Sequence, residues 1–303
     1  MVLRSSAPAG RLVPLAAWRI AVPAPPSVAR RLAAGLAALL AGGLLVLVDP
    51  SPAAAVVTPL HGIRATVDGF TSWYGSYAMG PLGVAWCIDH GTHAPDPAYR
   101  YAPTGLTDVP AEVRTAMAWV IGAHGHGSDR VGHAAVMLVL HDLMGARYPS
   151  GRLDVDRLRP DRMAGFGGLE ARVLQRARVL KVDGLVHRHL RGPITLTIDA
   201  ATGLGAGPTT VTVRVRDARG RPLAGIPVRL HGAAAGLRAT GGTTTADGAW
   251  RTQAQPGQQP IAVDAATEVP RLTLDAWAPT TRAAQRVARP GRDALRARSW
   301  SWW

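Results

Sequence analysis

Three residue types are almost missing. The 303-residue chain holds one cysteine, Cys87, one lysine, Lys181, and only two phenylalanines. A lone thiol cannot close an internal bridge, so a disulfide-stapled mini-domain is excluded. Multi-cysteine zinc fingers and iron–sulfur clusters fall with it. Charge is sparse as well, at 18% of residues against 47% hydrophobic. Disorder throughout needs the opposite balance and is excluded, while the apolar content is ample for a core. With one lysine, the basic side chains are nearly all arginine, 34 Lys+Arg against 20 Asp+Glu, for a formal charge of +14. We read this as GC-rich coding rather than selection for phosphate chemistry.

Much of that charge sits outside the expected fold. Residues 1–55 read as a signal peptide with a long lead-in: Arg30 and Arg31, an uncharged run over 32–48, a Pro-Ser-Pro break and then Ala53-Ala54-Ala55. A basic segment, an apolar stretch and small residues at the cleavage positions predict export and cleavage after Ala55. The run is short and rich in Ala and Gly against the about 20 residues of a membrane anchor, which is the alternative. Val28 is a possible true start. Removal of 1–55 leaves about +10, and six arginines (282, 286, 289, 292, 296 and 298) lie in the last 22 residues. The body is only mildly basic, and a nucleic-acid partner is not expected.

The remainder changes character once. Over 56–192, aromatic, glycine and β-branched residues up to Asp89 predict short strands. Helical spacing then predicts three helices, one from near Pro110 capped by Asp108, one over 131–144 capped by Ser128 or Asp129, and one carrying Leu169, Val173, Ala177 and Leu180. Over 193–277 the period becomes two, in runs at 194–198, 211–215, 226–230, 243–245, 261–263 and 272–274 separated by Gly, Pro and Asp turns. The expected fold class is therefore an α+β domain (short strands plus about three helices) followed by an all-β immunoglobulin-like sandwich. RDARGRPLAGIPVRL followed by TTTADGAW resembles the bacterial immunoglobulin-like and transthyretin-like domains of surface proteins. Residues 278–303 are expected to be a disordered Arg/Trp-rich tail.

Cys87 lies in Trp86-Cys87-Ile88-Asp89-His90. This strand ending, a proline-rich loop and helices AMAWVIGAHG and AAVMLVLHDLMG resemble the thioester domains of Gram-positive surface adhesins. The resemblance implies a Cys thiol condensed with a Gln carboxamide from a "T-Q-x-A-I-W" motif, an electrophile toward amines. Met137 occupies the glutamine position, methionine has no carbonyl to acylate, and within 56–192 the only glutamine is Gln175. The expectation is a thioester-like position at Cys87 and Met137 without the covalent bond.

Three further readings stand beside it. Cys87 can be a buried small hydrophobe. A secreted cysteine hydrolase of cell-wall peptides would pair Cys87 with His133, whose GHAAV context resembles the "G-H-V-A-I" strand of such enzymes. A metal site would draw on Cys87, His90 and His93, with His124 and His126 as a further pair. His133 and His141, two turns apart on one helix, can equally be core histidines, and His187 and His189 near a helix end need no function. Trp73, Tyr74, Tyr77 and Trp86 are candidates for a stacking platform as well as for a small core. Trp300, Trp302 and Trp303 after the arginines can meet an anionic envelope through 282–303. No LPxTG-type signal or C-terminal apolar span appears, so covalent wall anchoring is not expected. The function expected is an exported surface or secreted binding protein of a high-GC Gram-positive bacterium, without a cofactor, whose partner is a protein or glycan at the cell surface.

Overall fold

The computed structural model describes residues 57–200, 208–232, 237–255, 261–280 and 284–301; the segment read as a signal peptide lies outside them. Chain order begins with β1 (Val57–Val67), β2 (Phe70–Met79), β3 (Val84–Cys87) and β4 (Tyr101–Thr104), then α1 (Ala111–His124) and α2 (Arg130–Leu143). Short pairs β5 (Arg147–Tyr148) and β6 (Gly151–Arg152), then β7 (Met163–Ala164), lead to α3 (Glu170–His187). The second region holds β8 (Thr195–Ala200), β9 (Thr209–Arg216), β10 (Pro227–Gly232), β11 (Gly241–Thr243), β12 (Ala249–Ala254) and β13 (Ile261–Pro270). The chain ends with β14 (Asp275–Pro279), β15 (Val287–Arg289) and β16 (Arg292–Ser301). The fold is an α+β region followed by a β-sandwich. No described helix is long and apolar enough to cross a membrane.

Local chemistry explains the helices. Asp129 caps α2 by accepting from the backbone N–H groups of Val131 and Gly132, satisfying two of the donors a helix start leaves open. Because α2 is apolar over most of its circumference, it is buried from Val131 to Asp142. Pro110, rather than Asp108, stands at the start of α1; Asp108 instead binds Arg286. At Gly184 of α3 a Cβ would stand 2.8 Å from Val120 Cγ2, so glycine lets α3 close on α1.

Strand order corrects the expected tail. The first region's sheet runs β4-β14-β15-β3-β2-β1-β7, so two strands from beyond residue 274 lie between β4 and β3. The chain then returns, and β16 pairs along the whole of β13 in a four-stranded sheet β11-β10-β13-β16. This sheet and the three-stranded β12-β9-β8 enclose an aliphatic core that includes Val211, Val213, Val215, Leu223, Val228 and Val263. Residues 284–301 are thus ordered strand rather than free tail. The physical reason is alternation: exposed Arg292, Arg296 and Arg298 interleave with half-buried Leu295 and Ala297, which pack on the sandwich core. The run at 272–274 is a bend, and the strand starts at Asp275.

Candidate functional site

Cys87 ends β3 with only 1% of its surface exposed. On one side β2 sets Tyr77 opposite Ala85; on the other β15 sets Val287 opposite Cys87. Alternation along β3 sends Ala85 and Cys87 to the same face, so Tyr77 lies on the face of the thiol. Burial pushes the thiol above its usual pKa, outweighing the polar influence of Tyr77, and Cys87 is held as neutral SH.

Across the ladder stands a glutamine. Gln285 is two residues before Val287, just ahead of β15, and is 6% exposed. In a ladder continued by two residues, diagonal neighbours lie about 7–8 Å apart, within reach of a long side chain. Gln285 is tied down on several sides. Its backbone N–H donates to His93 O at 2.9 Å, its Nε2 donates to Thr92 O at 3.3 Å, and Tyr101 Oη donates to its carbonyl at 3.3 Å.

The next residue fixes the register. Arg286 donates from its backbone N–H to Asp89 Oδ2 at 2.8 Å and from Nη2 to Asp89 Oδ1 at 2.7 Å. Its Nη1 donates to both oxygens of Asp108 at 2.8 Å. The Asp89 hydrogen bond, against burial, raises Arg286 above its usual value, and the Arg286 hydrogen bond lowers Asp108. Residues flanking Cys87 and Gln285 are therefore joined by a bidentate ion pair.

The other sequence candidates separate. Met137 is buried on α2 in the same core as Cys87. Gln175 is exposed on α3 and does not reach the buried thiol. The expectation that the module lacks a glutamine partner counted residues 56–192 only. Gln285 lies beyond that range, in Ala284-Gln285-Arg286-Val287-Ala288 of the segment expected to be a tail; the signal for order there is the apolar Ala284, Val287 and Ala288 among arginines, all three buried.

His133 is not a base for Cys87. Its Nδ1 is 2.8 Å from Ser76 Oγ, its Nε2 3.2 Å from Gly127 O, and its ring stacks on Trp86 at 5.0 Å. The cysteine-hydrolase pairing is therefore not assembled. Cys87, His90 and His93 do not converge either, since His93 is exposed and Cys87 buried, and no metal-holding cluster occurs among the described residues. Tyr74, Tyr77 and Trp86 are buried core, which removes them as a stacking platform, while Trp73 is half-buried with its Nε1 donating to Ser76 O at 3.0 Å. His141 is a core histidine with Nδ1 2.9 Å from Tyr148 Oη, and burial, with His90 nearby, drives its pKa down to about 3. His90 lies against Phe70 and Tyr148 at ring separations of 4.2 and 4.4 Å, and burial lowers its pKa.

No family model and no curated protein matches the chain. Among solved structures it is similar to the thioester domain of the Enterococcus faecium TIE86 protein, at 14% identity and a TM-score of 0.34, over 82% of this chain and 93% of that one. It is also similar to the Bacillus anthracis TIE protein, at 10% identity and a TM-score of 0.33, over 81% of this chain and 47% of that one.

Proposed function

We propose that the chain is an exported surface protein that binds amine-bearing partners covalently through an internal thioester between Cys87 and Gln285. The observation that supports it is the register of β3 on β15, which sets Val287 opposite the buried thiol of Cys87, with the buried Gln285 two residues before Val287 in the chain. In the forming step, Cys87 Sγ attacks Gln285 Cδ. The C–S bond forms, the C–Nε2 bond breaks, and the thiol proton leaves with the amide nitrogen as ammonia. A partner amine then attacks the same carbon, makes an amide and returns the thiol. Burial of both groups supports a thioester lifetime long against hydrolysis.

The chain offers little amine of its own. Lys181, its single lysine, is 13% exposed at the side chain and lies 2.7 Å from both Asp142 Oδ2 and Asp156 Oδ2. Burial opposes its charge, but those carboxylates outweigh burial and hold it as ammonium, which is not a nucleophile. Under this reading the β-sandwich carries the reactive region away from the cell, and the segment over 1–55 directs export.

Intact mass of the secreted protein tests the reading. Wild type is expected about 17 Da below its sequence mass, from the lost ammonia, and methylamine should convert it to the N-methyl amide with a free thiol. Cys87→Ala and Gln285→Ala should both retain the full mass of their sequences. A wild-type protein at sequence mass, with a thiol that alkylates fully on unfolding, would overturn the proposal.

A further inference from the structure

The outer face of the sheet β11-β10-β13-β16 carries an interrupted pattern of charge. Along β13 the outward positions include Asp264, Ala266 and Glu268, and along β16 they include Arg292, Ala294, Arg296 and Arg298. Asp264 accepts from Arg298 Nε at 2.6 Å and Nη2 at 3.0 Å, and a Glu268 carboxylate oxygen lies 3.6 Å from Arg292 Nε. Between these two paired carboxylates the series drops to alanine.

Ala266 stands opposite Arg296 on one side and opposite Arg229 of β10 on the other. Neighbouring strands are about 4.8 Å apart, so the two arginines leave the sheet about 10 Å from each other with one methyl group between them. Both are exposed, and neither has a carboxylate partner among the described residues. They line one groove of about 460 Å³, in which the other charged or titratable side chains are His231, Arg292 and Glu268. Glu268, the one carboxylate there, already faces Arg292. A second groove of about 520 Å³ shares His231, Ala266 and Arg296, and its one carboxylate, Asp264, is held by Arg298. The sandwich's other sheet differs, since Arg214 of β9 meets Asp199 of β8 at 2.8 Å.

We propose that Arg229 and Arg296 clamp a phosphate oxyanion above Ala266, and that the ligand carrying it is a polyol-phosphate chain. Two guanidinium groups held over one alanine repel each other, an anion between them relieves that, and the planar fork of arginine matches a phosphate. Grooves on both sides of Arg296 let a phosphodiester chain continue past the clamp in either direction. A membrane surface fits less well. Asp264 and Glu268 flank the clamp about 7 Å away along β13 and would be pressed against the lipid phosphates. The inference does not depend on the thioester.

Isothermal titration of the full chain with synthetic oligo(glycerol phosphate), in buffer free of phosphate and sulfate, is the test. Binding is expected, and it should weaken as salt is added. Arg229→Gln and Arg296→Gln should each lower the affinity about tenfold, whereas Arg214→Gln on the other sheet should leave it unchanged. Ala266→Glu should abolish binding with no fall in melting temperature, because the chain then supplies its own carboxylate to both arginines. Absence of binding at low salt overturns the proposal. So does binding that is indifferent to Arg229→Gln, Arg296→Gln and Ala266→Glu. Inorganic phosphate bound as tightly as the oligomer rejects the polymer as ligand, as does binding to phosphatidylglycerol vesicles with no response to the oligomer.

Discussion

The two regions of this molecule bury different chemistry. The sandwich core is aliphatic, and its buried polar groups are mostly threonines with their bonds made. Thr244 Oγ1, for example, donates to Leu223 O at 2.7 Å and accepts from Ile226 N at 2.9 Å. The α+β region instead buries Cys87, His133, His141, Asp142 and Gln285's neighbours, and among the described residues Trp86 Nε1, His90 Nε2 and His141 Nε2 are buried nitrogens without a partner. Unpaired buried polar groups cost free energy. Among the described residues that cost falls on the α+β region alone.

The severest way to break the contrast is to remove what both regions share. Ending the chain at Pro279 deletes β15 and β16, one strand from each main sheet. Loss of cooperative unfolding in calorimetry is expected for the whole protein, and a truncated chain that still melts cooperatively would separate the regions.

A milder probe sharpens the difference. Folding lowers the pKa of His141 to about 3, and burial also lowers His90 and His133. The unfolded chain binds those protons first, so stability is full above the unfolded histidine value near 6.5 and falls as pH drops below it. Between pH 6.5 and 4 the His141 contribution alone amounts to about 3 kcal/mol. Denaturant melts should record the loss, His141→Gln should flatten the slope, and amide exchange at low pH should accelerate in α2 before β9 and β13.

The smallest effect on stability is expected at the ion pair beside the site. Arg286→Gln keeps a donor but loses the bidentate contact with Asp89, a partly exposed pair worth about 1 kcal/mol or less. It should nonetheless lower the fraction of chains that lose ammonia, read by intact mass, because Gln285 is no longer held in register. An unchanged fraction would mean that the Tyr101 and Thr92 contacts suffice.

Much of the fold was legible in local pattern. Gly125 closes α1, Asp129 caps α2, and the period-two runs at 194–198, 211–215 and 226–230 fall largely within β8, β9 and β10. These features depend on neighbours in sequence. The placement of β14 and β15 depends on partners in β4 and β3, roughly 170–200 residues away, and arginine density masks the alternation of β16. Half of the candidate site was lost for that reason. Cys87 is conspicuous as a lone thiol, while Gln285 becomes visible only through the pairing of the next strand, β15, with β3. Exclusion of His133 likewise needed Ser76 and Gly127 in three dimensions.

The placement of β15 beside β3 sets a timetable. Arg286 and Asp89 are 197 positions apart in the chain, and Tyr101 and Gln285 are 184 apart. Such remote pairings are slow to form and come after local structure. The sheet that begins at Val57 stays open at β3 until β14 and β15 have been made, so the region begun first is closed only after the sandwich strands β8–β13. Cys87 waits through nearly the whole of synthesis as an ordinary thiol, and its carboxamide neighbour arrives only with the closing strands. A chain stopped before β15 carries no such pair.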